Sequence, residues 1–117
     1  MDKLTRKLSE ALNLMKLIKW DTTMQTGDQV LVCWTNSNRF YRLKGKVVKL
    51  NAQSVKCELT EPSGPTPYGA GYPVGQVITC PRATMSGVTG RWSWNNCVLP
   101  LDQSVISESE VEALRHG

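Results

Sequence analysis

The sequence predicts a mainly β protein: a small, strongly bent antiparallel barrel of five strands, with an amphipathic helix before it and a short helix after it. Residues 27–59 show three strand-like runs joined by short polar turns, the pattern of a β-meander. Two further apolar runs each meet a proline, as edge strands often do. With 117 residues, 40% of them hydrophobic, the chain fits one domain, 1–117.

The first two strands follow the turn at Gly27 and Asp28. The run 29–34 is rich in the β-branched and aromatic residues that suit a half-buried pleated surface. The polar stretch 35–38 then predicts a turn, and the run 39–50 predicts a second strand. This strand contains a single glycine, Gly45, which favours a bend or a bulge.

The third strand, 54–59, has the clearest pattern, because apolar and polar residues alternate with a period of two. Lys56 and Glu58 are therefore expected to point outwards. The runs 76–80 and 97–101 predict the fourth and fifth strands, so that the barrel spans 27–101.

Helices are predicted at both ends of the chain. Residues 1–20 carry apolar side chains at helical spacing, which predicts an amphipathic helix that covers an open end of the barrel. Its apolar face consists of Leu4, Leu8, Ala11, Leu12, Met15 and Ile18, widened by Leu14 and Leu17. Residues 20–26 read as an irregular linker. Near the C-terminus, Ser107 and Glu110 have the spacing of a capping box, which predicts a short helix over 107–115.

Two stretches between the strands carry exposed aromatic candidates. The segment 61–75 is rich in proline and glycine, which predicts a long loop that carries Tyr68 and Tyr72. Further along, Trp92 and Trp94 alternate in a segment rich in Ser, Thr, Gly and Asn, so that both indoles would share one surface. If these four rings are exposed together, they form a protein-binding patch.

In strand lengths and turns, the chain resembles the SH3-like small-barrel superfold, in the broad sense that includes KOW and Tudor-type modules. The resemblance rests on the segments 27–32, 44–48, 54–59 and 96–100. It implies a fold and no particular function. An oligonucleotide-binding (OB) barrel is the alternative fold.

Metal-binding and catalytic signatures are absent from the sequence. The four cysteines, Cys33, Cys57, Cys80 and Cys97, form no C-x-x-C pair, and the one histidine is His116. We expect buried, reduced thiols, with disulfides or a four-thiolate site as alternatives. No nucleophile–base pair or phosphate loop can be assembled, so we expect neither an enzyme nor a cofactor. Without a secretory signal or an apolar run of about 20 residues, we expect a cytoplasmic protein and no membrane partner.

Charge is the strongest functional clue. Residues 27–101 carry eight basic and three acidic side chains, whereas 102–117 carry four acidic and one basic, so the net charge of +4 conceals a basic barrel. Basic residues beside Trp34, Phe40 and Tyr41 are typical of a nucleic-acid platform. The candidate phosphate-binding residues are Arg39, Arg42, Lys44, Lys46, Lys49, Arg82 and Arg91. The simpler interpretation is a solvated basic face with the rings in the core.

Two function classes therefore remain. The first is a basic module that binds nucleic acid with little sequence preference. The second is a protein–protein interaction module that uses the loop 61–75 and the four candidate rings. The size and charge of the chain are also typical of accessory proteins of phages and mobile elements.

Overall fold

A computed structural model describes residues 3–64, 71–83, 92–107 and 109, with side chains in the first helix described at residue 12 and from residue 14 onward. The secondary-structure elements are α1 (Lys3–Thr23), β1 (Gln29–Asn36), β2 (Arg39–Leu50), β3 (Ser54–Leu59), β4 (Val77–Pro81) and β5 (Cys97–Pro100). The prediction of a mainly β fold with five antiparallel strands is confirmed. The predicted C-terminal helix lies outside the described residues, apart from Ser107 and Ser109.

The five strands form one sheet in the order β4-β3-β2-β1-β5, so β4 and β5 are its two edges. The sheet curls strongly: the Cys80 thiol on β4 donates to the Cys33 carbonyl on β1 at 3.6 Å, although β4 and β1 are not neighbours in the sheet. The result is a curled half-barrel, which is compatible with the SH3-like fold that the sequence resembles.

The β1–β2 turn is shorter than predicted. Asn36 pairs with Arg39, so only Ser37 and Asn38 connect the strands, instead of the four residues 35–38. Both residues have positive φ, 52° and 64°. This is the conformation of a type I′ turn, whose twist matches that of the flanking strands and which asparagine tolerates well.

The irregularity in β2 lies further along the strand than Gly45, the position that favours it in the sequence. Gly45 stays in register with both Val30 and Leu59, and the pairing with β3 shifts between Val47 and Lys49. Gly45 is needed for another reason. A Cβ atom there would lie 2.9 Å from Val32 Cγ2 and 3.0 Å from the Glu58 carbonyl oxygen.

The concave face of the sheet holds the main core, which we call the inner cluster. Its buried members include Val30, Val32 and Trp34 of β1, Val47 of β2, and Val55, Cys57 and Leu59 of β3. These residues alternate along each strand, as the period of two predicts. The side chains between them therefore project from the convex face.

On the convex face, β1 and β5 are covered by a second apolar group, the outer cluster, whose buried members are Leu17, Cys33, Ala83, Cys97, Leu99 and Ile106. Helix α1 contributes Leu17, and the segment after β5 contributes Ile106. The helix extends to Thr23, so the prediction of an irregular linker is wrong for residues 20–23. Leu12 and Met15, predicted on its covered face, are 58% and 65% exposed. Within the described part of the chain, no helix is long and apolar enough to cross a membrane.

Candidate nucleic-acid interface

A row of cations runs along β2 on the convex face of the sheet. Arg42 lies opposite Cys33, Lys44 opposite Leu31, and Lys46 opposite Gln29 on β1. Because residues two apart on a strand share a face, these three cations project from the same side, about 6.7 Å apart. The residues between the cations face the inner cluster, so they have to be apolar or small, as Leu43 and Gly45 are.

The shift in pairing after Val47 extends this row across to β3. Lys49 pairs with Lys56, and both side chains are exposed. Like charges placed directly opposite each other on neighbouring strands destabilise a sheet, by roughly 0.2–1 kcal/mol. We call the set Arg42, Lys44, Lys46, Lys49 and Lys56 the basic ladder.

Two carboxylates lie beside the basic ladder without pairing closely with its lysines. Glu58 lies opposite Lys46, and Glu61 binds the backbone N–H of Lys44 through Oε1 at 2.8 Å. Over residues 3–64, 71–83 and 92–107, none of the four ladder ammonium groups forms a salt bridge. Four exposed cations therefore face solvent on a rigid sheet.

The three rings near these cations in sequence pack against the apolar clusters, although Phe40 lies on the same face of β2 as Arg42. Trp34 and Tyr41 face the inner cluster, where they stack with ring centroids 5.2 Å apart. Phe40 is half-buried against the outer cluster. The simpler interpretation of the rings is therefore supported, because they fill the protein instead of standing between the cations. Arg39, at the β1–β2 turn, falls on the face of β2 opposite to Arg42 and Lys44.

Arg82 is also separate from the basic ladder. Its Nε donates to Asp21 Oδ1 at 2.7 Å, Nη2 to the Asp21 carbonyl at 2.7 Å, and Nη1 to the Asn51 carbonyl at 3.0 Å. The other carboxylate oxygen, Asp21 Oδ2, accepts from Ala83 N at 3.0 Å. This guanidinium thus joins α1 to the end of β4 and to the β2–β3 turn.

The predicted partner-binding rings are half-buried where the structure describes them. Tyr72 packs edge-on against Trp34 and Tyr41, with centroids 5.0 and 4.9 Å away, and its hydroxyl accepts from Asn36 Nδ2 at 2.7 Å. The rings of Trp92 and Trp94 contact each other edge-on, with centroids 4.9 Å apart, and pack on the outer cluster. Tyr68 and Arg91 lie outside the described residues.

A pocket of about 220 Å³ adjoins the Arg42 end of the basic ladder. We call it the end pocket. It lies between the sheet and the segment that follows β5, and it is lined by the cations Arg42 and Lys44, the carboxylate of Glu61, and the apolar side chains of Leu31, Leu99 and Ile106. The pocket cannot be predicted from the sequence, because its walls come from four separate parts of the chain. The predicted phosphate-binding residues also lack Lys56, although the strict alternation of β3 predicts its outward position.

The four cysteines belong to the inner and outer clusters. All four are free and buried. Burial raises the pKa of Cys57 to about 12 and raises that of Cys80 further. The pKa of Cys97 is raised by its hydrogen bond with Cys33 and by burial. Within the described ranges, no three His, Cys, Asp or Glu side chains are close enough to hold a metal ion.

Comparisons with known proteins give no further assignment. No family model matches the chain, and neither a curated protein nor a solved structure shows significant similarity. Its function therefore has to be argued from the geometry of its own surface.

Proposed function

We propose that this protein is a non-catalytic, cytoplasmic nucleic-acid-binding module, an SH3-like small barrel whose basic ladder contacts phosphates with little sequence preference. The observation that carries the proposal is the pairing of Lys49 with Lys56 at the end of a row of cations whose four lysines are exposed. The row is held on two central strands, so its spacing is fixed before any ligand arrives.

The energetics of the basic ladder favour an anionic partner. Opposed lysines weaken the free protein, and a phosphate placed between them removes that repulsion. Since the described ladder lysines form no salt bridge, no internal ion pair has to be broken first. Binding then gains from the release of counterions from the nucleic acid.

The absence of rings between the ladder cations explains the expected lack of sequence preference. Lysine contacts to phosphate carry no base information. If the four exposed ladder lysines each neutralise one phosphate of a single strand, affinity should fall about 50-fold between roughly 50 and 200 mM salt.

The direct test is a pair of double variants that remove the same charge. Lys49→Gln with Lys56→Gln removes two ladder contacts, so the slope of log affinity against log salt should become shallower by about 1.4. The same variant should be at least as stable as the parent, because the repulsion is gone. Lys16→Gln with Lys19→Gln, on exposed positions of α1, is the matched control and should leave the slope unchanged.

Fluorescence titration of labelled oligonucleotides at several salt concentrations measures the slope, and urea unfolding measures stability. Equal losses of binding in the two double variants would show that net charge alone is responsible. Failure of the parent protein to bind any oligonucleotide at about 50 mM salt would refute the proposal.

A protein–protein interaction module is the second candidate, and one observation favours it. Leu12 and Met15 are large apolar side chains on α1 that remain 58% and 65% exposed. Exposed apolar groups of this kind mark protein contacts when they are contiguous. A protein partner whose capture is lost on changing Leu12 and Met15 to Ser, together with an absence of oligonucleotide binding, would favour this candidate over the first.

A further inference from the structure

The end pocket combines four kinds of chemistry in a small space. Arg42 and Lys44 supply cations, Glu61 a carboxylate and Gln103 an amide, and the apolar walls include Leu31, Leu99 and Ile106. A simple phosphate would be repelled by Glu61, and an apolar molecule would offer no hydrogen-bond partner to Lys44 or Glu61. The lining thus favours a planar apolar ligand whose edge carries both donors and acceptors.

Glu61 is oriented by one hydrogen bond to the backbone of β2. Its Oε1 accepts from the backbone N–H of Lys44 at 2.8 Å. Within the described part of the chain, Oε2 has no protein donor. A carboxylate can accept several hydrogen bonds, so Glu61 can still receive adjacent N–H donors from a ligand.

Among the nucleobases, guanine satisfies this lining best. Its N1–H and N2 amino group are adjacent donors that suit a carboxylate, and its O6 is an acceptor that suits Arg42 or Lys44. Its planar faces suit the aliphatic walls. At about 220 Å³ the pocket is smaller than the ~300–1,000 Å³ typical of small-molecule sites, so it fits a base and leaves sugar and phosphate outside.

We propose that the end pocket binds one unpaired guanine of a single strand whose phosphates continue along the basic ladder. This inference rests on the proposed function and adds to it a preference for single strands and for one base at one position. Bases held in a duplex cannot present the N1–H edge, because pairing occupies it.

The test compares oligothymidylates that differ only at one central position. Binding should be about tenfold tighter with guanine there than with thymine. Inosine, which lacks the N2 amino group, should fall between the two, and an abasic site should bind no better than thymine. Glu61→Gln keeps an acceptor for Lys44 N–H and removes the negative charge. It should bind oligothymidylate more tightly than the parent while losing the preference for guanine.

Two results separate this inference from the proposed function. Equal affinity for all four oligonucleotides, with an intact salt slope, would overturn the guanine pocket and leave the proposed function standing. A titration of the full chain with guanosine monophosphate, monitored by NMR, tests binding in the pocket independently of oligonucleotide binding along the basic ladder. Shifts of the Leu31 and Ile106 methyl signals with guanosine but not thymidine monophosphate would support the pocket even without oligonucleotide binding. Equal responses to both nucleotides would overturn it.

Discussion

Replacing Arg82 with methionine should lower the free energy of unfolding much more than a substitution at an exposed position. The Asp21 side chain is 2% exposed and the Arg82 side chain 14%. Without the guanidinium, the carboxylate of Asp21 would remain buried with Ala83 N as its one remaining donor among the described residues. The carbonyls of Asp21 and Asn51 would also lose their side-chain donors.

Removing one partner of a buried ion pair costs about 3–5 kcal/mol, because the remaining charge stays buried without compensation. At about 4 °C per kcal/mol for a chain of this size, the melting temperature should fall by about 12–20 °C. Asp21→Asn alone should cost less, about 2 kcal/mol, because the guanidinium keeps its carbonyl partners and some contact with water. Adding Asp21→Asn to Arg82→Met should partly restore stability, since a neutral amide is easier to bury than a carboxylate.

Urea and thermal unfolding followed by circular dichroism measure all three variants, with Lys46→Met as an exposed control that should change stability by no more than about 0.5 kcal/mol. An Arg82→Met protein as stable as this control would refute the reasoning, and so would a double variant less stable than Arg82→Met alone. Loss of oligonucleotide binding with unchanged stability would instead assign Arg82 to the phosphate contacts.

Three further predictions concern the core. The four buried thiols should react slowly with a thiol reagent until the protein is denatured, and rapid labelling of any of them in the native state would contradict this. Burial raises the pKa of Cys57 from 9.0 to about 12, so the folded protein holds this thiol proton more tightly than the unfolded chain does. The stability that the protonated thiol contributes is therefore fully present below pH 9 and should be lost as the pH rises towards 12. Gly45→Ala should cost about 1–3 kcal/mol by overpacking against Val32 and the Glu58 carbonyl, and an unchanged urea midpoint would show that the strands can move apart.

Local patterns predicted the strands well. The second and third strands have the predicted bounds, because alternation and turn residues are properties of neighbouring positions. The end of α1 could not be predicted in this way, because it depends on a contact with a distant part of the chain. Asp21, in the last turns of the helix, looks like a linker residue in sequence, and its burial becomes intelligible only through Arg82, 61 residues later.

The candidate site was predicted in part. The alternation of β2 places Arg42, Lys44 and Lys46 together, as a period of two requires. Lys49 joins them only because the pairing shifts after Val47, and no residue of β2 predicts the position of that shift. Arg82 and Arg39 were included because they are basic, and composition cannot distinguish a cation that faces solvent from one that binds a buried carboxylate.

The irregular pairing between Val47 and Lys49 decides which of two neighbouring side chains, Lys49 or Leu50, points away from the core at this end of the sheet. In an uninterrupted strand, Lys49 would share the inward side of Val47, and Leu50 would point to solvent. The extra residue, Val48, reverses the phase, so that Leu50 pairs with Val55 and Lys49 pairs with Lys56. The surface here thus depends on how the strand pairs as well as on which residues it contains. The same sequence paired without the irregularity would turn Leu50 outwards in place of Lys49 and would leave Lys56 without its opposing cation.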